Sequence, residues 1–448
     1  MNAIANQDTA ASIAQALESI VGESAIYDGD NLPPVWQERL QNANASDGFA
    51  RCIVFPSTVE ELKHVMACAY RNSWSILPCG SGSKLGWGGV GKGVDMVIST
   101  ERLNRVIEHA VGDLTVTVEA GMKLADLQNL LHKENQFLPL DPAYPQDATL
   151  GGIIATADSG SWRQRYGGVR DMLLGISFVR SDGQLAKAGG RVVKNVAGYD
   201  LMKLFTGSYG TLGILTEVTF RAYPIPEASG TVVLTGEAQA IASATKTLLA
   251  SALTPTAADL LSTQLVTRLG LGQGMGLMVR FQSVTPSVKE QSSRMLEVGQ
   301  ALGLQGTLYG DADEASLWQS LSEQIWATSQ EPAITCKIGV LPTAAIATLT
   351  QLDALTSGAG LGLVHAGSGL GRVRLESGTV TPDAIAQLRR YCESQRGFLT
   401  ILEAPIALKQ QLDVWGYNGN ALTIMQGIKQ QFDPKNILSP YRFVAGIL

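Results

Sequence analysis

Residues 114–121, LTVTVEAG, alternate cleanly. Leu114, Val116 and Val118 fall on one side and Thr115, Thr117 and Glu119 on the other, which predicts a half-buried strand. The period then changes. Leu124, Leu127 and Leu131 share one face of a predicted helix over 122–135. Upstream, Val59, Leu62, Val65 or Met66, and Ala69 mark another amphipathic helix, entered through Ser57 and Glu60 in capping-box spacing. SWSILP (73–78) and VDMVIS (94–99) read as strands on either side of a glycine-rich loop. Residues 176–187 carry Asp182-Gly183 between apolar runs, the signal of a hairpin.

These alternating signals run from Phe49 to Tyr223 and predict one α+β domain. Pro224-Ile225-Pro226 reads as a boundary. Beyond it, helical patterns at 238–251, 288–302, 343–355 and 382–395 alternate with short strands at 276–281, 333–340, 372–376 and 398–402. That texture predicts a second α+β domain, an antiparallel sheet with helices on one face. The expected division is a helical lead (1–48), a first domain (49–224), a second (225–420) and a C-terminal segment (421–448) that returns to the first. No internal repeat and no low-complexity segment is found.

Composition narrows the function classes. The 448 residues are 45% hydrophobic and 17% charged, as in a globular protein of more than one domain. A net charge of −6 gives no electrostatic case for nucleic acid. The N-terminal residues lack a basic region followed by an apolar one, so no signal peptide is expected. No apolar run reaches the roughly 18–20 residues of a membrane span. A cytoplasmic location is expected, with peripheral attachment at the inner face of a membrane left open. The five cysteines form no CxxC, so neither an iron–sulfur cluster nor a structural zinc site is indicated. Only four histidines are present, which limits any mechanism that needs several together.

Three glycine-rich elements carry the candidate chemistry. Residues 77–89, LPCGSGSKLGWGG, contain a run of small residues whose backbone N–H groups can converge on an anion, with Ser81 and Ser83 as hydroxyl donors. Gly86, Gly88 and Gly91 form a literal GxGxxG, but a strand follows where a dinucleotide fingerprint requires a helix. A P-loop fails too, because Lys84 follows Ser83 and not a glycine. The second element, 149–156 (TLGGIIAT), sets a Gly-Gly pair in an apolar run, suited to close approach by backbone or a flat ligand. The third, 189–224, spaces Gly207, Gly210 and Gly213 by three before the strand pattern ILTEVTFRA and holds almost no nucleophile or metal ligand. Taken singly, each also reads as a surface loop, a tight bend or a helix cap. Together they indicate a backbone-lined dinucleotide site.

In this order, the elements resemble the FAD-binding domain of the vanillyl-alcohol oxidase/PCMH flavoprotein superfamily over 49–223. VVKNVAGYDLMKLFTGSYGTLGILTE and the tail FDPKNILSP are similar to the E-type FAD-binding subunit of glycolate oxidase, or glycolate dehydrogenase. The resemblance implies a PCMH-type two-subdomain FAD-binding domain with an α+β cap. Carried over by position, Gly80, Ser81, Gly82, Ser83, Lys84 and Leu85 would bind the FAD pyrophosphate. Pro142, Thr149, Gly151, Gly152, Ala155 and Thr156 would line the flavin and ribityl chain. Gly213, Ile214 and Thr216 would close the adenine side. Relatives that attach flavin through histidine carry it in the glycine loop. Residues 79–89 hold none, so non-covalent FAD is expected, with Cys79 the one side chain there able to form a thioether link. The tail departs from the usual Asn-Pro-Gly, reading Ser439-Pro440-Tyr441, which puts its contact with the flavin domain in doubt.

The resemblance also implies a catalytic motif, His-x-Gly-Asp-Gly-Asn-x-His, whose histidines hold a metal, and a later Glu-His pair. Here the stretch reads from His365 to Arg372, with Ser368 for the aspartate, Arg372 for the last histidine, and Ala404 after Glu403. A lone His365 reads more readily as structural than as a ligand. Arg372 would repel a metal and attract a carboxylate. No bound metal is expected, and Arg372 and His365 remain the candidate catalytic side chains. The implied activity is oxidation of glycolate, or D-lactate, with a sister flavoprotein and an iron–sulfur subunit as partners. The competing readings are a stand-alone 2-hydroxyacid dehydrogenase, a non-catalytic flavoprotein subunit, and a binding module without cofactor.

Overall fold

The computed structural model describes residues 2–28, 31–41, 43, 52–191, 198–326, 333–376, 378 and 381–446, with only the backbone of 2–11. The segment 192–197, inside the third glycine element, lies outside the described residues, as does the expected boundary at 48–49. The chain is α+β and divides into two compact units. One comprises 1–159, 168–225 and 417–448, the other 160–167 and 226–416. Among the described residues no helix is long and apolar enough to cross a membrane.

The first unit holds a four-stranded sheet ordered Ile26–Tyr27, Ile53–Val54, Met96–Ser99, Ile76–Cys79. The last three of these run parallel and are apolar at nearly every position because both faces are covered. Val54, Ile76, Met96 and Ile98 pack with the helices Asn2–Val21 and Val59–Asn72. Ile53, Leu77 and Val97 pack with Trp36 and Leu40 of the helix Pro34–Gln41. The helix Val59–Asn72 begins one residue later than the capping-box reading. Thr58 accepts from Glu61 N at 3.1 Å and the Glu61 carboxylate takes Ser57 N at 2.8 Å, while Glu60 pairs with Lys63.

A second, antiparallel sheet is ordered Val106–Ala110, Thr115–Glu119, Ile214–Arg221, Leu173–Val179, Leu185–Gly189. Val116 and Val118 are buried as their alternation requires. Leu114 is not in the strand; it takes a left-handed φ of 53° at the end of a 3-10 turn. Glu119, expected on the wet side, is buried and held by Arg105 at 2.7 Å. Asp182-Gly183 does turn a hairpin, between Leu173–Val179 and Leu185–Gly189. Residues 150–156 are a short helix, Leu150–Thr156, capped by the Thr149 hydroxyl. The helix Leu124–His132 is shorter than its predicted span.

The second unit is built on an eight-stranded antiparallel sheet. Its order is Gln305–Gly310, Ala228–Gly236, Met275–Ser283, Ala257–Leu261, Leu361–His365, Leu370–Glu376, Ala333–Gly339, Phe398–Glu403. One face is apolar and packs against Ala238–Ala250, Thr285–Ala301, Ala345–Leu355 and Pro382–Ser394. Helices do not keep to that face, contrary to the sequence expectation. Asp311–Trp326 repeats Leu317, Leu321 and Ile325 every fourth residue, and these bury with Leu261, Met278, Leu361 and Leu363 of the other face. Each such side chain contributes about 1.5–3 kcal/mol when buried, enough to hold the helix there.

Candidate functional site: a backbone-lined cleft and a buried histidine–aspartate pair

The glycine loop leaves the strand Ile76–Cys79 and folds back on itself. Leu85 N bonds Gly82 O at 3.1 Å and Trp87 N bonds Lys84 O at 3.0 Å. Among the described residues, the backbone N–H groups of Ser81, Gly82, Ser83 and Lys84 donate no hydrogen bond. Four successive uncommitted donors in a turn form the kind of concavity that takes an anion. Gly80 cannot be replaced without displacement, because an added Cβ would lie 2.0 Å from Thr149 Oγ1. Gly82 has φ +82°, a conformation that side chains resist, with Trp36 packed on it.

Side chains in the loop contribute less than their types suggest. Lys84 Nζ is 2.9 Å from Asp158 Oδ2 in a pair buried on both sides. Ser81 donates its hydroxyl to Asp147 O at 2.6 Å, so of the two predicted serine donors only Ser83 keeps a hydroxyl without an internal acceptor among the described residues. Burial, reinforced by the Glu101 carboxylate and opposed by Arg39, pushes the Cys79 thiol above its ordinary range. That disfavours the thiolate on which covalent attachment depends.

The helix Leu150–Thr156 supplies a wall rather than donors. Its first-turn N–H groups are all spent: Leu150 on Met122 O at 2.9 Å, Gly151 on Ala120 O at 2.7 Å, Gly152 on Thr149 Oγ1 at 3.3 Å and Ile153 on Thr149 O at 2.9 Å. What remains is a surface of small groups, Gly151, Gly152, Ala155 and Thr156, suited to a flat ring. With residues 80–85, Thr149, Gly213 and Ile214 they line a cleft enclosing about 860 Å³ of empty space, its open mouth included. Two predicted residues do not line it. Pro142 is buried beside Ala143, whose N–H bonds the Asp158 carboxylate at 2.8 Å. Thr216 is fully buried, with its carbonyl accepting from Ala120 N at 2.8 Å and its hydroxyl without a partner among the described residues.

Sequence reasoning missed other parts of this wall, notably Tyr209, Gly210 and Arg442. The tail's departure from Asn-Pro-Gly does not detach it. Ile76 N bonds Ile437 O at 2.6 Å, Ser439 N bonds Ile76 O at 2.8 Å and Gly89 N bonds Arg442 O at 3.0 Å. Buried Lys429 ties this segment down through Asp433 at 2.6 Å, Leu438 O at 2.8 Å and Thr211 O at 3.1 Å. Burial lowers Arg442 to about 10, with Tyr209 opposing the shift, which leaves the guanidinium charged near neutrality.

In the second unit, His365 and Arg372 lie on the sheet face opposite the large apolar core. Cross-strand register sets Asp259 opposite His365, and both Leu363 and Lys337 opposite Arg372. His365 is not the lone histidine that the sequence suggested. Its Nδ1 is 2.6 Å from Oδ1 of Asp259, a carboxylate that is fully buried. A proton held in that bond leaves Nε2 of a neutral ring as an acceptor. Arg372 is also buried, with its guanidinium 5.8 Å from the Trp326 ring centroid and one N–H on Gly371 O at 3.1 Å. Among the described residues no three His, Cys, Asp or Glu side chains converge as metal ligands. Nothing in local sequence pairs residue 259 with 365; only strand register does.

Comparison with known proteins agrees with the cleft. The family model described as "FAD binding domain" matches residues 50–189. The chain is 25% identical over 428 residues to glycolate oxidase subunit GlcD of Bacillus subtilis (strain 168), covering 88% of each. It is 39% identical over 125 residues to glycolate oxidase subunit GlcE of Escherichia coli (strain K12), which covers 28% of this chain and 36% of the relative. Among solved structures, p-cresol methylhydroxylase with substrate bound superposes with a TM-score of 0.73 at 14% identity, over 97% of both chains. Unspent loop donors, a small-residue wall and this match agree: residues 50–189 are an FAD binding domain, the chain has the fold of p-cresol methylhydroxylase, and its cofactor is FAD.

Proposed function

We propose that this chain is the FAD-binding subunit of a complex that oxidises the CH–OH of a 2-hydroxy acid, with glycolate as substrate. The observation that carries the reading is the similarity to a glycolate oxidase subunit over 88% of the chain, joined to a buried base, His365, and a buried cation, Arg372, on one sheet face. FAD, when bound, supplies a two-electron acceptor for the α-hydrogen. The loop residues 80–85 would hold its diphosphate, chiefly through the backbone donors of 81–84, and the wall at 151–156 would hold the ring, without a covalent link. Arg372 pairs with the substrate carboxylate. His365 accepts the hydroxyl proton at Nε2, oriented by Asp259. Electrons leave through a sister flavoprotein and an iron–sulfur subunit, since no CxxC is present to hold a cluster here. The complex works in the cytoplasm or at the inner face of a membrane.

Anaerobic addition of glycolate, D-lactate or D-2-hydroxyglutarate to the flavin-loaded chain tests this reading. Bleaching of the flavin absorbance by glycolate is expected. Bleaching by D-lactate or D-2-hydroxyglutarate and not by glycolate assigns the other substrate. A second reading, a flavoprotein that supports a catalytic sister subunit, draws on Ser368 and Ala404, which stand where catalytic relatives are expected to carry ligand and base. No bleaching by any of the three acids favours it. Release of the flavin on acid precipitation checks that attachment is non-covalent.

A further inference from the structure

The polar groups of the glycine loop are sorted. Gly80 O accepts from Ser99 Oγ at 2.8 Å, Gly82 O from Leu85 N, and Lys84 O from Trp87 N. The other occupied carbonyls go to two arginines. Arg39, on the helix Pro34–Gln41, donates to Ser81 O and lies 4.0 Å from Asp147, whose backbone carbonyl takes the Ser81 hydroxyl. Arg442, six residues from the C-terminus, donates to Leu85 O, to Trp87 O at 2.5 Å, to Gly89 O at 2.7 Å and to Ala43 O at 3.2 Å. The donors of residues 81–84 are left unspent among the described residues. A peptide loop without these arginines would present carbonyl oxygens and N–H groups together, and the oxygens repel a phosphate that the donors attract.

We propose that Arg39 and Arg442, one N-terminal and one C-terminal to the loop, are positioning residues for the cofactor diphosphate. By occupying the carbonyls of Ser81, Leu85, Trp87 and Gly89 they hold the loop in the one conformation that offers consecutive N–H donors to an anion. Arg442 does this from the cleft wall itself. A single ammonium cannot replace it, because lysine has three donors on one point and no planar fork to span four carbonyls. The inference rests on the assignment of FAD to the cleft.

The test uses full-length chain stripped of flavin, with wild type, Arg39→Met, Arg442→Met and Arg442→Lys. Dissociation constants are measured by fluorescence for FAD, for ADP, which has the diphosphate without the ring, and for riboflavin, which has the ring without phosphate. Each Met variant is expected to weaken FAD and ADP by the same factor, about tenfold or more, and to leave riboflavin unchanged. Arg442→Lys is expected to fall between wild type and Arg442→Met. Unchanged ADP binding alongside a lowered melting temperature overturns the proposal in favour of a purely structural role. Equal weakening of all three ligands overturns it as well. If Arg442→Met does not fold, the less buried Arg39 carries the same comparison. Failure of the wild-type chain to bind FAD is a different result, and refutes the cofactor assignment instead.

Discussion

The glycine loop of the first unit and the histidine strand of the second solve opposite problems. In the loop, side chains are committed internally, Lys84 to Asp158 and Ser81 to Asp147 O, and the chemistry left over is peptide N–H. In the strand, the backbone is spent on the sheet and the chemistry sits in two side chains brought together by register, Asp259 and His365. A site made of backbone tolerates changes of side-chain polarity but not of volume. A site made of a side-chain pair reverses that tolerance.

Substitutions can break or sharpen this contrast. The largest effect is expected at the pair. His365→Ala should lower turnover of a 2-hydroxy acid by about 10²–10⁴-fold, the usual contribution of a positioned base, with flavin content per chain unchanged. Loss of flavin instead would show that the two regions are not separable. Next, Lys84→Met should cost about 3 kcal/mol in urea unfolding, because it strands a buried carboxylate. Its FAD affinity per folded molecule should stay near wild type; a large drop would mean that the lysine charge serves the phosphate after all. Gly80→Val is expected to cost about 1–3 kcal/mol by overpacking against Thr149, read as roughly a tenfold loss of bound flavin or more. Normal flavin content in that variant would refute the backbone cradle. Thr58→Ala, remote from both sites, should cost only about 1 kcal/mol through the lost helix cap and leave flavin and turnover alone.

How much of this was legible in the chain follows the same division. Residues 80–85 and 149–156 were readable because loop chemistry depends on small residues at close spacing, a local signal. The hairpin at Asp182-Gly183 and the absence of a Rossmann helix after the loop were readable for the same reason. The second unit was less so. Ala228–Gly236, Ala257–Leu261, Gln305–Gly310 and Leu361–His365 are central or edge strands whose short runs do not distinguish strand from helix until they pair. Placing Asp311–Trp326 on the second face depends on partners such as Leu261 and Leu361, which are distant in sequence. Arg442 and Lys429 were missed because a lone cation in a tail carries no pattern; only burial shows that each is tied to several carbonyls. The capping shift from Ser57 to Thr58 is a one-residue ambiguity between two hydroxyls that both fit the entry.

The path of the tail has a consequence for how the protein comes into being. Arg442 and the segment 437–442 complete a loop that emerged from synthesis more than three hundred residues earlier. Until residues 437–442 are made, that loop lacks the partner for three of its carbonyls, and the strand Ile76–Cys79 lacks its contact with Ile437 and Ser439. Loading of the cofactor is thereby tied to the segment 437–442, and a chain cut before it is expected to be marked by the ligand it fails to retain.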